Sequence, residues 1–169
     1  MAFGLLVLRV VAGLTMAGHG TQKLFGWFGG PGLEGTAGFF DQLGFRSAGQ
    51  MALLAGLSET AGALFALGLL TPLAALAIAI VMFNAIRTVH LRKGFWSTQG
   101  GYEFPLLMLT VVCAVCATGP GKYSLDRALG WDKSITGAWW GVGVFIAALV
   151  TSLLTTELFR KSETEPLHA

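Results

Sequence analysis

The fold is decided by residues 73–91, LAALAIAIVMFNAIRTVHL, an apolar run that ends among polar side chains. A helix of this length covers about 30 Å, the thickness of the hydrocarbon core of a bilayer. Backbone polar groups in lipid must be bonded within the segment, so the stretch predicts a transmembrane α-helix. Pro72, directly before it, suits the first turn of such a helix.

Four further apolar stretches accompany it, at about 3–24, 51–70, 104–118 and 138–159. The chain is 54% hydrophobic and 12% charged, whereas a soluble domain carries about 25% charged residues. Its apolar surface must therefore face lipid. A net charge of +2 without a basic run argues against nucleic acid as a partner. We expect an all-α membrane protein with a four-helix transmembrane bundle core plus a fifth C-terminal transmembrane helix.

Three regions are expected along the chain. Residues 1–136 form the four-helix core, 137–160 the additional transmembrane helix, and 161–169 a polar C-terminal tail. Within the core, apolar spacing over 36–43 and 123–129 predicts two short amphipathic helices, the second with Ser124 as its N-cap. The distribution of Lys and Arg between the loops favours an N-terminus outside and a C-terminus inside.

Ionisable residues inside the spans are the candidate site. Each costs roughly 2.5–3.5 kcal/mol on insertion scales, so such groups usually face a bundle interior or a cavity. Counting along antiparallel helices brings most of them to one half of the bilayer. We expect one polar ligand-binding pocket formed by His19, Lys23, Glu59, Asn84, His90 and Glu103.

Arg9 and Glu59 fall at a similar estimated depth. We predict that they form an ion pair across the helices, because an unpaired charge there is strongly disfavoured. The pair could be purely structural and fix the helix register, or it could form the floor of the pocket. Lys23 could instead extend to the headgroups.

Cys113 and Cys116 are one helical turn apart, which permits a disulfide or thiol redox chemistry. Small apolar filler in a span is the interpretation we favour for them. No spacing of His, Cys or carboxylate residues predicts a metal site. A haem between His19 and His90 is geometrically permitted, but nothing else in the sequence supports it.

Five motifs resemble those of the DoxX family of bacterial membrane proteins. They are HGTQKLFGWFGGPG (19–32), GLSE (56–59), TVH (88–90), GGYEFP (100–105) and GPGKYSLD (119–126). The resemblance covers roughly residues 4–130, and the fifth apolar stretch lies beyond it. It implies a four-helix core in the bacterial cytoplasmic membrane. It also implies association with quinone-linked oxidoreductases and with complexes that respond to oxidative and thiol stress.

Three functions follow as hypotheses. The first is a redox-associated accessory subunit that binds a quinone, the candidate cofactor, or a similar amphipathic ligand. The second is a non-enzymatic scaffold or chaperone that recruits soluble redox enzymes or other membrane subunits. The third is a membrane thiol–disulfide enzyme that uses Cys113 and Cys116. Catalytic residues, enzymatic activity and assembly into a homo-oligomer stay open.

Overall fold

The computed structural model describes residues 2–160 and contains the expected all-α membrane architecture. Helix α1 spans Ala2–Phe25, α3 and α4 (Ala48–Thr60 and Gly62–Leu67) form one continuous rod, and α5 spans Thr71–Ala85. Helix α6 spans Glu103–Thr118 and α8 spans Ala138–Phe159. The predicted tail at 161–169 lies outside the described residues.

Four of these rods are long and apolar enough to cross a bilayer, namely Ala2–Phe25, Ala48–Leu67, Thr71–Lys93 and Ala138–Phe159. The third is longer than α5 because a π-helical turn, Ile86–His90, and a 3-10 turn, Leu91–Lys93, continue it. Helix α6 is apolar but has only 16 residues. The apolar stretch at about 104–118 is likewise the shortest of the five in the sequence.

The two predicted amphipathic helices are both present. Helix α2 spans Gly32–Gln42 and lies against α1 and α3. Helix α7 spans Leu125–Ala128, and the hydroxyl of Ser124 accepts a hydrogen bond from the backbone N–H of Arg127 at 3.1 Å. Ser124 is therefore the N-cap that the sequence predicted.

Glycines allow α1 to approach the α3–α4 rod closely. A Cβ atom on Gly13 would overlap the backbone of Gly62 and Ala66, and one on Gly20 would overlap Gly56 and Thr60. Small residues at such contacts let helix backbones approach each other closely. Close packing matters in lipid because the hydrophobic effect does not drive helices together there. These contacts also set the register, with position 13 opposite 62–66 and position 20 opposite 56–60.

The second half of the bundle is formed by α5, α6 and α8, which pack on one another. Ile78 of α5, Val112 of α6 and Ala148 of α8 are fully buried in this core. Helix α8 is thus an integral part of the bundle. We call the end at which α1, α5 and α8 finish the cavity end; it also carries α2, and the opposite end carries α7.

Candidate ligand-binding site

A cavity of about 520 Å³ lies between α2, α3, α5 and α8 at the cavity end of the bundle. Most of its lining is aliphatic or aromatic, and a few polar side chains interrupt it. These polar lining residues are Lys23, Ser58, Glu59, Asn84, Thr88, His90, Thr151 and Thr155. The volume and the mixture of apolar walls with few polar groups are typical of small-molecule sites, which hold about 300–1,000 Å³.

Lys23 and Glu59 form an ion pair in the cavity wall. The ammonium Nζ of Lys23 lies 2.5 Å from Oε2 of Glu59. Glu59 is 4% exposed in its side chain and Lys23 is 26% exposed. Lys23 therefore turns inward from the end of α1 to neutralise a buried carboxylate, and it does not extend to the headgroups.

The predicted Arg9–Glu59 pair is wrong. In the glycine contacts, position 13 lies opposite 62–66 and position 20 lies opposite 56–60. Because the two helices run antiparallel, each residue back along α1 corresponds to about one residue forward along the α3–α4 rod. By this register Arg9 lies opposite Gly68, where an added Cβ would overlap its guanidinium. The depth estimate failed because it was counted from the helix ends, whereas the glycine contacts set the register.

Arg9 instead joins α1 to the segment before α7, at the opposite end of the bundle. Its side chain is fully buried, and its Nη2 donates to the backbone carbonyl of Tyr123. Asp126 supplies the favourable electrostatic interaction. Asp126 also accepts hydrogen bonds from the backbone N–H groups of Leu70 and Thr71 at 2.8 and 3.0 Å, at the start of α5.

His90 lines the cavity in a defined orientation. Its Nδ1 lies 2.6 Å from the carbonyl oxygen of Gly100. A carbonyl oxygen only accepts hydrogen bonds, so Nδ1 is the donor in this contact. In the tautomer that carries its proton on Nδ1, Nε2 is the acceptor. His90 also ends the π-helical turn in α5, a distortion that is frequent at functional sites.

Asn84 and its neighbours join α5 to α8. The hydroxyl of Ser152 donates to Oδ1 of Asn84 at 2.9 Å. Nη1 of Arg87 donates to the carbonyl oxygen of Ser152 at 2.9 Å and to the hydroxyl of Thr156 at 2.5 Å. These buried contacts hold α8 in the position where Thr155 lines the cavity.

His19 and Glu103 do not line the cavity, although the sequence grouped them with the residues that do. His19 packs on Phe104, with ring centroids 5.6 Å apart, and is close enough to Glu59 to interact electrostatically. The carboxylate of Glu103 accepts hydrogen bonds from the backbone N–H and the hydroxyl of Ser97, at 2.9 and 2.8 Å. Four of the six expected residues, Lys23, Glu59, Asn84 and His90, do line the cavity.

Cys113 and Cys116 are free thiols on α6. Cys116 is buried in the helix core, and the backbone of Cys113 lies against Gly141 of α8. Neither residue lines the cavity. Both positions are compatible with the favoured interpretation of these residues as small apolar filler.

Sequence reasoning missed the aromatic residues that close the cavity end. Phe39 and Phe40 of α2 line the cavity, as does Phe45, which follows α2 and is buried. Their helical spacing was visible and predicted the amphipathic helix. The pattern left open whether this helix lies on the membrane or under the bundle, and it did not reveal a cavity beside its aromatic residues.

Comparisons with known proteins agree with this architecture. The sequence model of the DoxX family matches residues 4–91, which include nearly all of α1, the whole of α2 to α5 and all four of the expected residues that line the cavity. The uncharacterized membrane protein Rv3486 of Mycobacterium tuberculosis is 34% identical over 142 residues, covering 78% of this chain and 84% of the relative. No solved structure matches the chain.

Proposed function

The chain belongs to the DoxX family of membrane proteins, and on that premise we propose that it binds a quinone or a similar amphipathic molecule in the intramembrane cavity. The observation that carries the proposal is the buried Lys23–Glu59 pair in the wall of a largely apolar cavity of about 520 Å³. An apolar body fits the walls, and a polar ring fits the few polar groups.

The polar groups offer complementary hydrogen bonds to such a ring. The ammonium of Lys23 has three N–H donors and uses one on Glu59, so it can also donate to a carbonyl oxygen. Nε2 of His90 is free to accept a bond from a hydroxyl group, because Nδ1 is held by Gly100. A site with both a donor and an acceptor suits a molecule that alternates between carbonyl and hydroxyl forms.

The same residues suit proton exchange with the ligand. Reduction of a quinone takes up protons as well as electrons, and carboxylate and imidazole groups are common proton carriers. Glu59 and His90 would carry protons, while a partner oxidoreductase would supply or remove electrons. The protein is then an accessory subunit of a redox assembly in the bacterial cytoplasmic membrane.

Extraction of the purified protein tests this proposal. We would isolate it in native lipid particles, extract with organic solvent and identify bound quinones by mass spectrometry. Ser58→Trp places an indole in the cavity, while Leu57→Trp places one on the neighbouring lipid-facing position, since Leu57 is exposed and does not line the cavity. We expect quinone with the wild type and with Leu57→Trp, and its loss with Ser58→Trp. Absence of quinone and of any other amphipathic molecule from the intact wild type contradicts the proposal.

A scaffold role is a second proposal, supported by the aromatic loop after α1. Phe28 has a φ of 54°, a left-handed conformation that is uncommon for a bulky residue, and its side chain is 78% exposed. Strained backbone of this kind is retained mainly where it serves a function. Loss of partner proteins from pull-downs of Phe28→Gly, with quinone content unchanged, would favour this role over ligand binding.

A further inference from the structure

The cavity lies between two helices that do not pack on each other. Helices α3 and α8 each pack against α5, but they share no packed interface with each other. Leu54 and Ser58 of α3 and Thr151 and Thr155 of α8 line the cavity from opposite sides. The space between the two helices, with α5 as its floor, is therefore a gap at the level of the bilayer.

Residues at the rim of this gap line the cavity and are also exposed at the outer surface of the bundle. Leu54 lines the cavity and is nevertheless 55% exposed. Thr151, across the gap, also lines the cavity and is exposed. Both residues belong to spans that are long and apolar enough to cross the membrane, so what they face outside the cavity is lipid.

The cavity end of the bundle carries an aromatic cover that is hydrogen-bonded to the end of α8. Phe40 and Phe45 lie across this end, and Phe45 is buried. The segment after α2 is fastened to the end of α8, because the N–H of Arg46 donates to the carbonyl of Phe159 at 2.8 Å and Nε of Arg160 donates to the carbonyl of Leu43 at 3.0 Å. The gap between α3 and α8 is thus the route that this cover leaves open.

The charged side chains in the cavity lining indicate which net charge the headgroup of a ligand can have. Among residues 2–160, the Lys, Arg, Asp and Glu side chains in the lining are Lys23 and Glu59, which pair with each other at 2.5 Å. Arg87 does not line the cavity and is bonded to α8. A phosphate group would find no unpaired cation there, and burying an uncompensated charge is costly. An uncharged polar head is the form that this lining accommodates.

We propose that the gap between α3 and α8 is a lateral portal, through which an amphipathic molecule with an uncharged head enters from the bilayer while its apolar tail stays in the gap. This inference rests on the proposed ligand binding and adds the route of entry and the charge of the headgroup. A phospholipid head is disfavoured as a ligand, because its phosphate would compete with Glu59 for the ammonium of Lys23.

Spin-label accessibility tests the portal without requiring any ligand. On a background of Cys113→Ala and Cys116→Ala, a nitroxide is attached at Ser58→Cys in nanodiscs of phosphatidylcholine and phosphatidylglycerol. Collisions are measured with oxygen, which concentrates in lipid, and with nickel ethylenediaminediacetate, which stays in water. Leu57→Cys serves as the lipid-facing control. The portal is then plugged with Leu54→Trp and Thr151→Trp, and Leu53→Trp with Leu154→Trp is the matched pair on exposed positions outside the cavity.

The expected result is an oxygen effect at position 58 close to that at 57, with little effect of nickel. The plug should remove at least about half of the oxygen effect, since two indole rings fill the gap, and the matched pair should leave it unchanged. A dominant nickel effect, a low oxygen effect without the plug, or no change with the plug would each overturn the portal. Absence of quinone from the purified protein together with the expected oxygen pattern would count against the quinone and not against the portal.

Discussion

The ammonium of Lys23 lies 2.5 Å from the carboxylate of Glu59, so the last turns of α1 and the middle of the α3–α4 rod are joined by a buried ion pair. This pair defines the polar side of the cavity. Its burial makes it costly to break, since the carboxylate left behind would lie in a largely apolar wall with only the weaker electrostatic interaction with His19.

We expect Lys23→Met to destabilise the protein by about 1–3 kcal/mol, less than for a fully buried pair because part of Lys23 is exposed. The double variant Lys23→Met with Glu59→Gln removes both charges and should recover much of that loss. Thermal unfolding in detergent, with Lys93→Met as an exposed-lysine control, measures the difference. If the double variant is no more stable than Lys23→Met alone, the two residues do not act as a pair.

The close contact of α1 with α4 predicts a sharp difference between two glycines of the same helix. Gly13→Ala should cost about 1–3 kcal/mol, because the added methyl group overlaps the backbone of Gly62 and Ala66. Gly18 has open space at the same position, and Gly18→Ala should be neutral or slightly stabilising. Unfolding temperatures of the two variants provide the comparison, and equal stability would mean that this interface is wrong.

Asp126 holds the start of α5. It accepts bonds from the N–H groups of Leu70 and Thr71 and, at 2.6 Å, from the hydroxyl of Thr71. Asp126→Ala should therefore lower stability by about 2 kcal/mol, the upper range for loss of a helix cap, and it also removes the electrostatic partner of Arg9. Asp132→Ala, which loses its contacts with the half-exposed Arg127 and with the backbone N–H of Lys133, should unfold near the wild-type temperature because both contacts are at the surface. Similar losses for both aspartates would contradict the assigned role of Asp126.

The orientation in the membrane is open to a direct test. The excess of Lys and Arg at the cavity end predicts that this end faces the cytoplasm. In cells carrying Cys113→Ala and Cys116→Ala, a membrane-impermeant maleimide should label Lys133→Cys in intact cells and Phe28→Cys only after permeabilisation. The reverse pattern would place the N-terminus inside.

The transmembrane rods and the short helices α2 and α7 could be predicted because hydrophobicity and capping are local properties. The pairing of polar residues could not. Arg9 and Glu59 are at similar distances from their helix ends, but the glycine contacts set a register that places Arg9 opposite Gly68. Lys23 reaches Glu59 through its long side chain. The direction of a side chain around a helix axis likewise decides that His90 lines the cavity and His19 does not.

The contribution of α8 was the least visible in the sequence. Thr151 and Thr155 look like ordinary helix residues, and the hydroxyl of Thr155 donates to the carbonyl of Thr151 within the same helix. Only the packing of α8 against α5, fixed by Asn84 and Arg87, brings them to the cavity. A deletion of α8 would therefore open the cavity.

Titration of the purified protein with a short-chain ubiquinone is the most direct test of ligand binding in the cavity. We expect saturable binding of one quinone per chain. The charge-free double variant, Lys23→Met with Glu59→Gln, should bind about tenfold more weakly, equivalent to about 1.4 kcal/mol of lost hydrogen bonding. Binding that does not saturate would contradict a quinone site in this cavity. Binding to the double variant and to Ser58→Trp that is as strong as binding to the wild type would contradict it as well.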